Sequence, residues 1–454
     1  MGIQSTERAP PSRRQRATQR ERYLFVILEG ARPDAGGMRI ALGALQALHI
    51  GRGEARVLRP GDGGIEILEV PDPQMSGSHA RIVRADAELL VEDAGSTNGT
   101  LVNGAPVTAQ VLRDGDILEL GRTCLLYREL EEPADDRPRS LDASALAAML
   151  PGFATFDPNL ARGLERLARV ASSPLSILLL GETGTGKEVL ARGLHALSER
   201  PGPFVAVNCG AIPQNLVESQ LFGHVRGAFS GAVRDEPGLI RSAHNGTLLL
   251  DEVGDLPISS QAALLRVLQE GEVRPVGATQ VASVDVRVLA ATHMPLEDLI
   301  ARNLFRRDLY ARLAGYTFPL RPLRERLVDL GLLIAALLAD GKMGARRGVQ
   351  IENEAIRAML RHDWPLNVRE LAQCLAAACV LADDNIITAG DLPRSMVAGA
   401  PAEEDEAAPA DQRATIIALL AKYEGNLSAV ARALHTSRSQ LYRLMERYGL
   451  ADKP

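Results

Sequence analysis

The sequence predicts a multidomain chain with three fold classes in series: an all-β sandwich, an α/β domain with a largely parallel sheet, and an all-α end. Three observations predict it. Between Arg22 and Glu131, short alternating apolar runs are punctuated by Asp62-Gly63, Asn98-Gly99, Asn103-Gly104 and Asp114-Gly115, dipeptides that supply the positive φ of tight hairpin turns. From about Leu150 to Leu392, strand-like runs such as Ile177–Leu180, Thr247–Leu250 and Val286–Ala290 alternate with helical patterns, as parallel strands joined by crossover helices do. Beyond Asp411, apolar residues recur at helical spacing with one short break.

Residues 1–22 are polar and Arg-rich with no apolar run behind them, and read as a disordered arm. The sandwich takes 23–131. Residues 132–149 form a linker, since EEPADDRPRS combines Pro with dense charge and no periodicity. The α/β domain takes 150–395, a second acidic, Pro/Ala-rich linker 396–410, and the helical end 411–454. The 46% hydrophobic and 24% charged content of the 454 residues suits soluble globular domains. The longest apolar stretch, Leu330–Ala339, is about half a membrane span, so a cytoplasmic protein without membrane contact is expected. Cys124, Cys209, Cys374 and Cys379 lack metal-ligand spacing and read as reduced, buried thiols. The net charge of -6 argues against a chain that coats nucleic acid throughout, but Asp411–Pro454 holds seven Lys or Arg against four acids. That end permits DNA contact.

GETGTGKE, Gly181 to Glu188, follows an apolar strand and precedes a helical pattern. In that context glycines let backbone N–H groups converge on phosphates, Lys187 adds a point charge, and the helix adds the positive end of its dipole. About sixty residues on, GTLLLDEVGDLP sets Asp251 and Glu252 at the end of a buried strand. One carboxylate can hold a magnesium shell there and the next can polarise water. A satisfied structural pair is the bland alternative. Glu188 stands where a Ser or Thr hydroxyl usually meets magnesium.

With GETGTGKE come Asn208-Cys209, LFGH (Leu221–His224), GAFSGA (Gly227–Ala232), FRRDLYARL (Phe305–Leu313) and WPLNVREL (Trp364–Leu371). This ordered set resembles the sigma-54-dependent activators of the AAA+ superfamily over roughly Leu150–Leu392. The resemblance implies an ATP hydrolase with a helical lid, using ATP and Mg2+. It places Gly181, Glu182, Thr183, Gly184, Thr185, Gly186, Lys187, Glu188 and Thr292 around the nucleotide, Asp251 on the metal, and Glu252 as the base orienting water. Asn208 becomes the switch that holds Glu252, Arg306 and Arg312 the fingers reaching a neighbouring subunit's nucleotide, and Arg369 the sensor of its own. Arg307 beside Arg306 leaves that assignment ambiguous by one residue. Trans-acting arginines imply a ring, a hexamer. In the resembling family Glu after the P-loop Lys is usual.

GAFSGA puts one aromatic, Phe229, among small residues: Gly227, Ala228, Ser230, Gly231 and Ala232. Nothing nearby makes a strand or helix face, so an exposed, mobile loop is expected instead of a core Phe. In the resembling family the loop grips the sigma factor of sigma-54 RNA polymerase. Ser230 replaces its Thr, Val225 stands where Glu is usual, and Glu236 where Arg is frequent.

At the helical end, GNLSAVARALHTSRSQLYRL resembles a Fis-type helix-turn-helix, with Asn426 as an N-cap and His435 in place of the turn Gly. Ser437, Arg438, Gln440 and Arg443 on its second helix suit phosphates and base edges of double-stranded DNA. A structural three-helix bundle is the alternative. In front, Ile50-Gly51-Arg52-Gly53, Ser76-Gly77-Ser78-His79 and Gly95–Thr100 resemble the forkhead-associated (FHA) domain. That resemblance assigns Arg52, Ser76 and Thr97 to a phosphothreonine phosphate, Asn98 to the peptide backbone, and His79 to bracing the loops. The ligand is a partner protein or the chain's own arm, with Thr6 and Thr18 as sites for a Ser/Thr kinase.

Two readings follow: an ATP-driven remodeller of sigma-54 polymerase under phosphothreonine control, or a DNA-bound regulator or phosphopeptide adaptor that no longer contacts sigma-54. GAFSGA favours the first; Val225 and Glu236 keep the second in play.

Overall fold

A computed structural model describes residues 18–133, 138, 140–146, 148, 150–340, 348–397, 419, 420 and 423. Met1–Pro393 forms one compact unit and Arg394–Pro454 another. The expected DNA-reading residues Ser437, Arg438, Gln440 and Arg443, the acidic linker beyond 397 and residues 1–17 lie outside the described residues.

Two sheets make the front sandwich. The strands are β1 (Thr18–Glu29), β2 (Met38–Ala41), β3 (Ala47–Arg52), β4 (Val57–Pro60), β5 (Ile65–Val70), β6 (Ala80–Ala85), β7 (Glu88–Asp93), β8 (Thr100–Val102), β9 (Ala105–Val107), β10 (Ala109–Val111), β11 (Ile117–Leu120), β12 (Thr123–Pro133) and β13 (Leu141–Asp142). One sheet runs β13-β2-β1-β12-β11-β8-β9 and the other β10-β7-β6-β3-β5-β4. Leu24, Val26, Ile50, Leu68, Val91 and Leu118 fill the space between them.

Two expectations need correction here. The arm assigned to 1–22 is too long, because Thr18–Arg22 extends β1 and pairs with β12, Thr18 opposite Pro133. Across this extension Arg22 lies 3.5 Å from Glu129 and Arg20 3.9 Å from Glu131, cross-strand charge pairs that give no apolar alternation to read. Thr18 is therefore a strand residue. The linker assigned to 132–149 likewise returns to the sandwich as β13, pairing with β2.

The α/β core has one parallel five-stranded sheet, ordered β15-β16-β19-β14-β20. Its elements follow α1 (Pro158–Ala171) as β14 (Ile177–Leu180), α2 (Lys187–Leu197), β15 (Phe204–Asn208), α3 (Val217–Phe222), α4 (Leu239–Ser242), β16 (Thr247–Asp251) and α5 (Ile258–Glu270). After the small pair β17 (Glu272–Val273) and β18 (Ala282–Ser283) come β19 (Arg287–Thr292), α6 (Leu296–Ala301), α7 (Arg307–Leu313) and β20 (Tyr316–Pro319). Leu178, Leu249 and Leu289 are wholly buried, because helices cover both faces and the middle positions of these strands are apolar. The carboxyl ends of the adjacent strands β14, β19 and β16 open at one edge, where open α/β sheets bind ligands.

The lid brings α8 (Leu330–Ala339), α9 (Asn353–Arg361) and α10 (Asn367–Leu381). α8 is apolar on every side, and the fold explains why: Gly331 and Ile334 are buried while Leu333 and Leu337 line a cavity. No helix among the described residues is long and apolar enough to cross a membrane. The four cysteines are buried and none is in a disulfide, and burial pushes the Cys374 thiol up to about 11.

Candidate active site

β14 ends at Leu180, and the chain turns through Gly181, Gly184 and Gly186, all at positive φ, before α2 begins at Lys187. Gly184 tolerates no side chain, since a Cβ there would lie 2.1 Å from the Leu366 carbonyl of the lid. The same glycine's carbonyl accepts from Val368 N at 3.0 Å. Asn367 ties lid to loop again, donating through Nδ2 to Thr183 O at 3.0 Å and Glu182 Oε2 at 3.1 Å. Arg324 chelates the Glu182 carboxylate at 2.6 and 2.9 Å. That guanidinium, with Asn367, lowers the Glu182 pKa to about 2.

Lys187 is 6% exposed. Its ammonium donates to Gly181 O at 2.8 Å and Glu182 O at 3.2 Å and lies 3.7 Å from Glu252 Oε1. Asp251 closes β16, where burial and the neighbouring Glu252 charge raise its pKa. Glu252 itself adopts left-handed φ and ψ of 52°, a conformation costly for a non-glycine residue and concentrated at functional sites. Its other oxygen, Oε2, lies 2.7 Å from His293 Nδ1 and accepts from His293 N at 3.2 Å.

Asn208 stands beside Asp251 in register, but its side-chain oxygen accepts from Ala211 N at 3.1 Å, and among the described residues it makes no hydrogen bond to Glu252. Here His293 and Lys187 hold Glu252, one at each carboxylate oxygen. Thr292 is fully buried, its hydroxyl accepting from Met294 N and its carbonyl from Gly181 N. It supports the first glycine from inside the sheet and does not line the cleft. Thr185, also buried, donates to Glu182 O.

Lys187, Glu188, Asp251, Glu252 and Arg369 line one cleft of about 240 Å³. Glu188 pairs with Arg192 at 2.6 Å. Through Gly186, Val189, Leu337 and Val368 the cleft adjoins an apolar cavity of about 670 Å³ under α8. Buried Arg326 at its wall and buried Asp329 three residues on carry no motif by which they could be read. Arg326 donates to Thr185 O at 2.8 Å and lies over the Phe153 ring. Asp329 accepts from Thr155 Oγ1 and Phe156 N, both at 2.7 Å. Burial raises the Asp329 pKa to about 6, with Arg326 opposing the rise.

Arg306, half-buried, and Arg312, exposed, do not line this cleft. Arg306 is chelated by Asp308 at 2.7 and 3.0 Å, and Arg312 donates to Leu268 O at 3.0 and 3.1 Å.

The GAFSGA loop stands on a bridge between His224 and Glu236. Gly227 N donates to Ala232 O, and Gly227 and Gly231 are at positive φ. Phe229 is 40% exposed, its ring edge-on to His224 at 5.0 Å. Exposure follows the expectation, whereas Ala232 is buried. Glu236 supplies the bridge through its backbone while its carboxylate pairs with Arg234 at 2.5 Å.

In the sandwich, Ser76 and Thr97 come together, Thr97 N donating to Ser76 Oγ at 3.0 Å. Arg52 N donates to Ser76 O, and Asn98 Nδ2 to Gln74 O at 2.7 Å. His79 is fully buried, accepting from Ser76 N at Nδ1 and meeting Gly99 O at Nε2. It braces two loops, as expected of it.

Comparison with known proteins fits this geometry. Residues 154–319 match the Sigma-54 interaction domain, 324–409 the AAA+ ATPase lid domain, and 49–121 the FHA domain. The acetoin catabolism regulatory protein of Cupriavidus necator is 44% identical over 74% of this chain and 52% of its own length. The transcriptional regulatory protein GlrR of Escherichia coli is 36% identical over 72% and 73%. The crystal structure of NtrX from Brucella abortus in complex with ATP is 30% identical over 66% of this chain and 69% of that one, with a TM-score of 0.51. The chain spans about half to two thirds of several such relatives, 64% in the case of the Cupriavidus hydrogenase regulator HoxA. The P-loop, the paired acids, the lid that touches them and the front sandwich place the chain in the family of sigma-54-dependent transcriptional regulators, with an AAA+ ATPase domain behind an FHA domain.

Proposed function

We propose that the chain hydrolyses ATP to remodel sigma-54 RNA polymerase, under the control of a phosphothreonine ligand of its front domain. One observation carries the catalytic reading: Lys187, Asp251, Glu252 and Arg369 converge on a single cleft that continues into an apolar cavity. The cleft suits a polyphosphate and the cavity an aromatic base.

The P-loop amides and the α2 N-terminus hold the phosphates, with the Lys187 ammonium turned from its carbonyl partners onto them. Two adjacent carboxylates beside one ammonium leave an excess of hard oxygen donors, so Asp251 fits Mg2+, which would neutralise phosphate charge. Glu252, aimed by His293, takes the proton of the attacking water. Arg369 reads the outer phosphate from its own subunit. Arg306 and Arg312, which do not line their own cleft, serve that of a neighbour in a homo-oligomeric ring, a hexamer. Phe229, held out from the core on a glycine-hinged loop, contacts the sigma factor. Arg52, Ser76, Thr97 and Asn98 take a phosphothreonine peptide made by a Ser/Thr kinase, and the basic end beyond 411 binds double-stranded DNA through Ser437, Arg438, Gln440 and Arg443.

Retention of purified sigma-54 on immobilised full chain in the presence of an ATP analogue tests this reading. Retention that disappears in Phe229→Ala supports it. Absence of retention by the unaltered chain, with ATP turnover intact, supports the DNA-bound regulator instead.

A further inference from the structure

The front sandwich grips the ATPase domain on both sides of the junction between core and lid. On the core side, the buried Arg39 guanidinium donates to the Phe156 carbonyl at 3.1 Å. The N–H of that same Phe156 donates to Asp329 at the head of the lid. One residue is thus bonded by front domain and lid together. On the lid side, Ile351 N donates to Gly30 O at 2.7 Å, and Arg122 Nη1 to Gln350 Oε1 at 2.7 Å. Arg357 Nε lies 2.8 Å from both oxygens of Glu119, a carboxylate 1% exposed.

Between these two grips lies α8. A Cβ on Gly331 would come within 1.9 Å of the Ile27 carbonyl of β1, so the helix touches the sandwich backbone there. Farther along, its Leu333 and Leu337 line the 670 Å³ cavity. β1 carries the matching signature: Leu24 and Val26 face the sandwich core, yet Phe25 and Ile27 on the opposite face are buried as well. A strand buried on both faces reads as a continuous apolar run, here Tyr23–Leu28.

We propose that the front domain is a brace that locks core to lid, holding α8 over the nucleotide cavity and slowing nucleotide exchange. This rests on the reading of that cleft and cavity as the nucleotide site. One wall of the site belongs to the core (Gly186, Val189) and the other to the lid (Leu337, Val368), so entry and exit need the walls to part. Contacts made only while the walls are together stabilise the closed arrangement and lower the population of the open one.

The brace also reaches the phosphopeptide loops. Asp72 Oδ2 accepts from Arg122 N and Thr123 Oγ1, Asp72 Oδ1 accepts from Gln74 N, and Gln74 O accepts from Asn98. The segment that carries Ser76 is therefore hydrogen-bonded through Asp72 to the backbone of the arginine that holds Gln350.

Release of a fluorescent ADP analogue from the full chain, chased with unlabelled ATP, tests the brace in Arg357→Ala and Arg122→Ala. Arg357→Ala strands a buried carboxylate and is the more disruptive change; Arg122→Ala removes a bond to a neutral amide and keeps the test decisive if the first variant unfolds. Both variants should release the analogue several-fold faster, with faster hydrogen exchange at the Ile351 amide and along α8. Unchanged release from folded variants would overturn the brace while leaving the nucleotide site standing. Failure of the unaltered chain to bind the analogue would overturn the nucleotide reading, and the brace with it.

Discussion

His293 Nδ1 lies 2.7 Å from Oε2 of Glu252, the carboxylate whose other oxygen is 3.7 Å from the Lys187 ammonium. The proposed base is therefore held from both sides, and its left-handed backbone adds to the constraint. Glu252→Gln should bind ATP with nearly unchanged affinity and lose about 10²- to 10⁴-fold in turnover, the usual contribution of a positioned base. His293→Ala should lower kcat about 10- to 100-fold without a comparable change in nucleotide affinity, because it misplaces the base and leaves the phosphate cradle intact. His293→Asn, which keeps a hydrogen-bonding side chain, should recover part of the loss. Phosphate-release kinetics with separate binding titrations check this; an unaltered kcat in His293→Ala contradicts it.

Arg306 and Arg312 do not line their own cleft, so each should act on a neighbour's nucleotide. Arg312→Ala and Glu252→Gln should each be nearly inactive alone, an arginine of this kind being worth about 10³- to 10⁵-fold. Mixing the two variants should restore turnover, since a junction between them can combine an intact base with an intact arginine. No recovery on mixing contradicts action in trans.

Asp329 gives the core–lid junction a pH dependence. Its folded-state pKa of about 6 stands above the ordinary value of 3.8, so the folded chain holds this proton more tightly than the unfolded chain. The stabilisation it contributes is full below the ordinary value and is lost as pH rises through about 6. Thermal midpoints of the unaltered chain should therefore fall relative to those of Asp329→Asn as pH rises from about 4 to about 7. Parallel profiles contradict the assignment.

The site that Ser76 and Thr97 form should require a phosphate. Arg52→Ala or Ser76→Ala should weaken binding of a phosphothreonine peptide by about tenfold or more, the equivalent of one hydrogen bond to a charged group. Calorimetry with phosphorylated and unphosphorylated forms checks it. Equal affinity for the two forms contradicts a phosphate-reading role.

What was legible in the sequence was what is local. Strand β14 runs Ile177–Leu180, the same four residues that its apolar pattern marks, because a central parallel strand covered on both faces is apolar along its length. The exposure of Phe229 could be read from its small neighbours, which offer no face to bury it. His293 could not be read: a lone histidine after a strand has no spacing that ties it to an acid 41 residues earlier. Asn208 is tied to Glu252 only by resemblance; its side-chain oxygen accepts from Ala211 N here. The Arg39, Phe156 and Asp329 knot joins three distant segments. Only the uninterrupted apolar run of β1 hinted that something covers its outer face.

The most direct test of the central claim is open-complex formation at a sigma-54 promoter with purified chain and sigma-54 RNA polymerase, with ATP or without nucleotide. ATP-dependent opening by the unaltered chain is predicted, lost in Phe229→Ala although that variant's ATP turnover stays within a few fold. Opening that persists undiminished in Phe229→Ala, or no opening by an unaltered chain that hydrolyses ATP, would contradict the account.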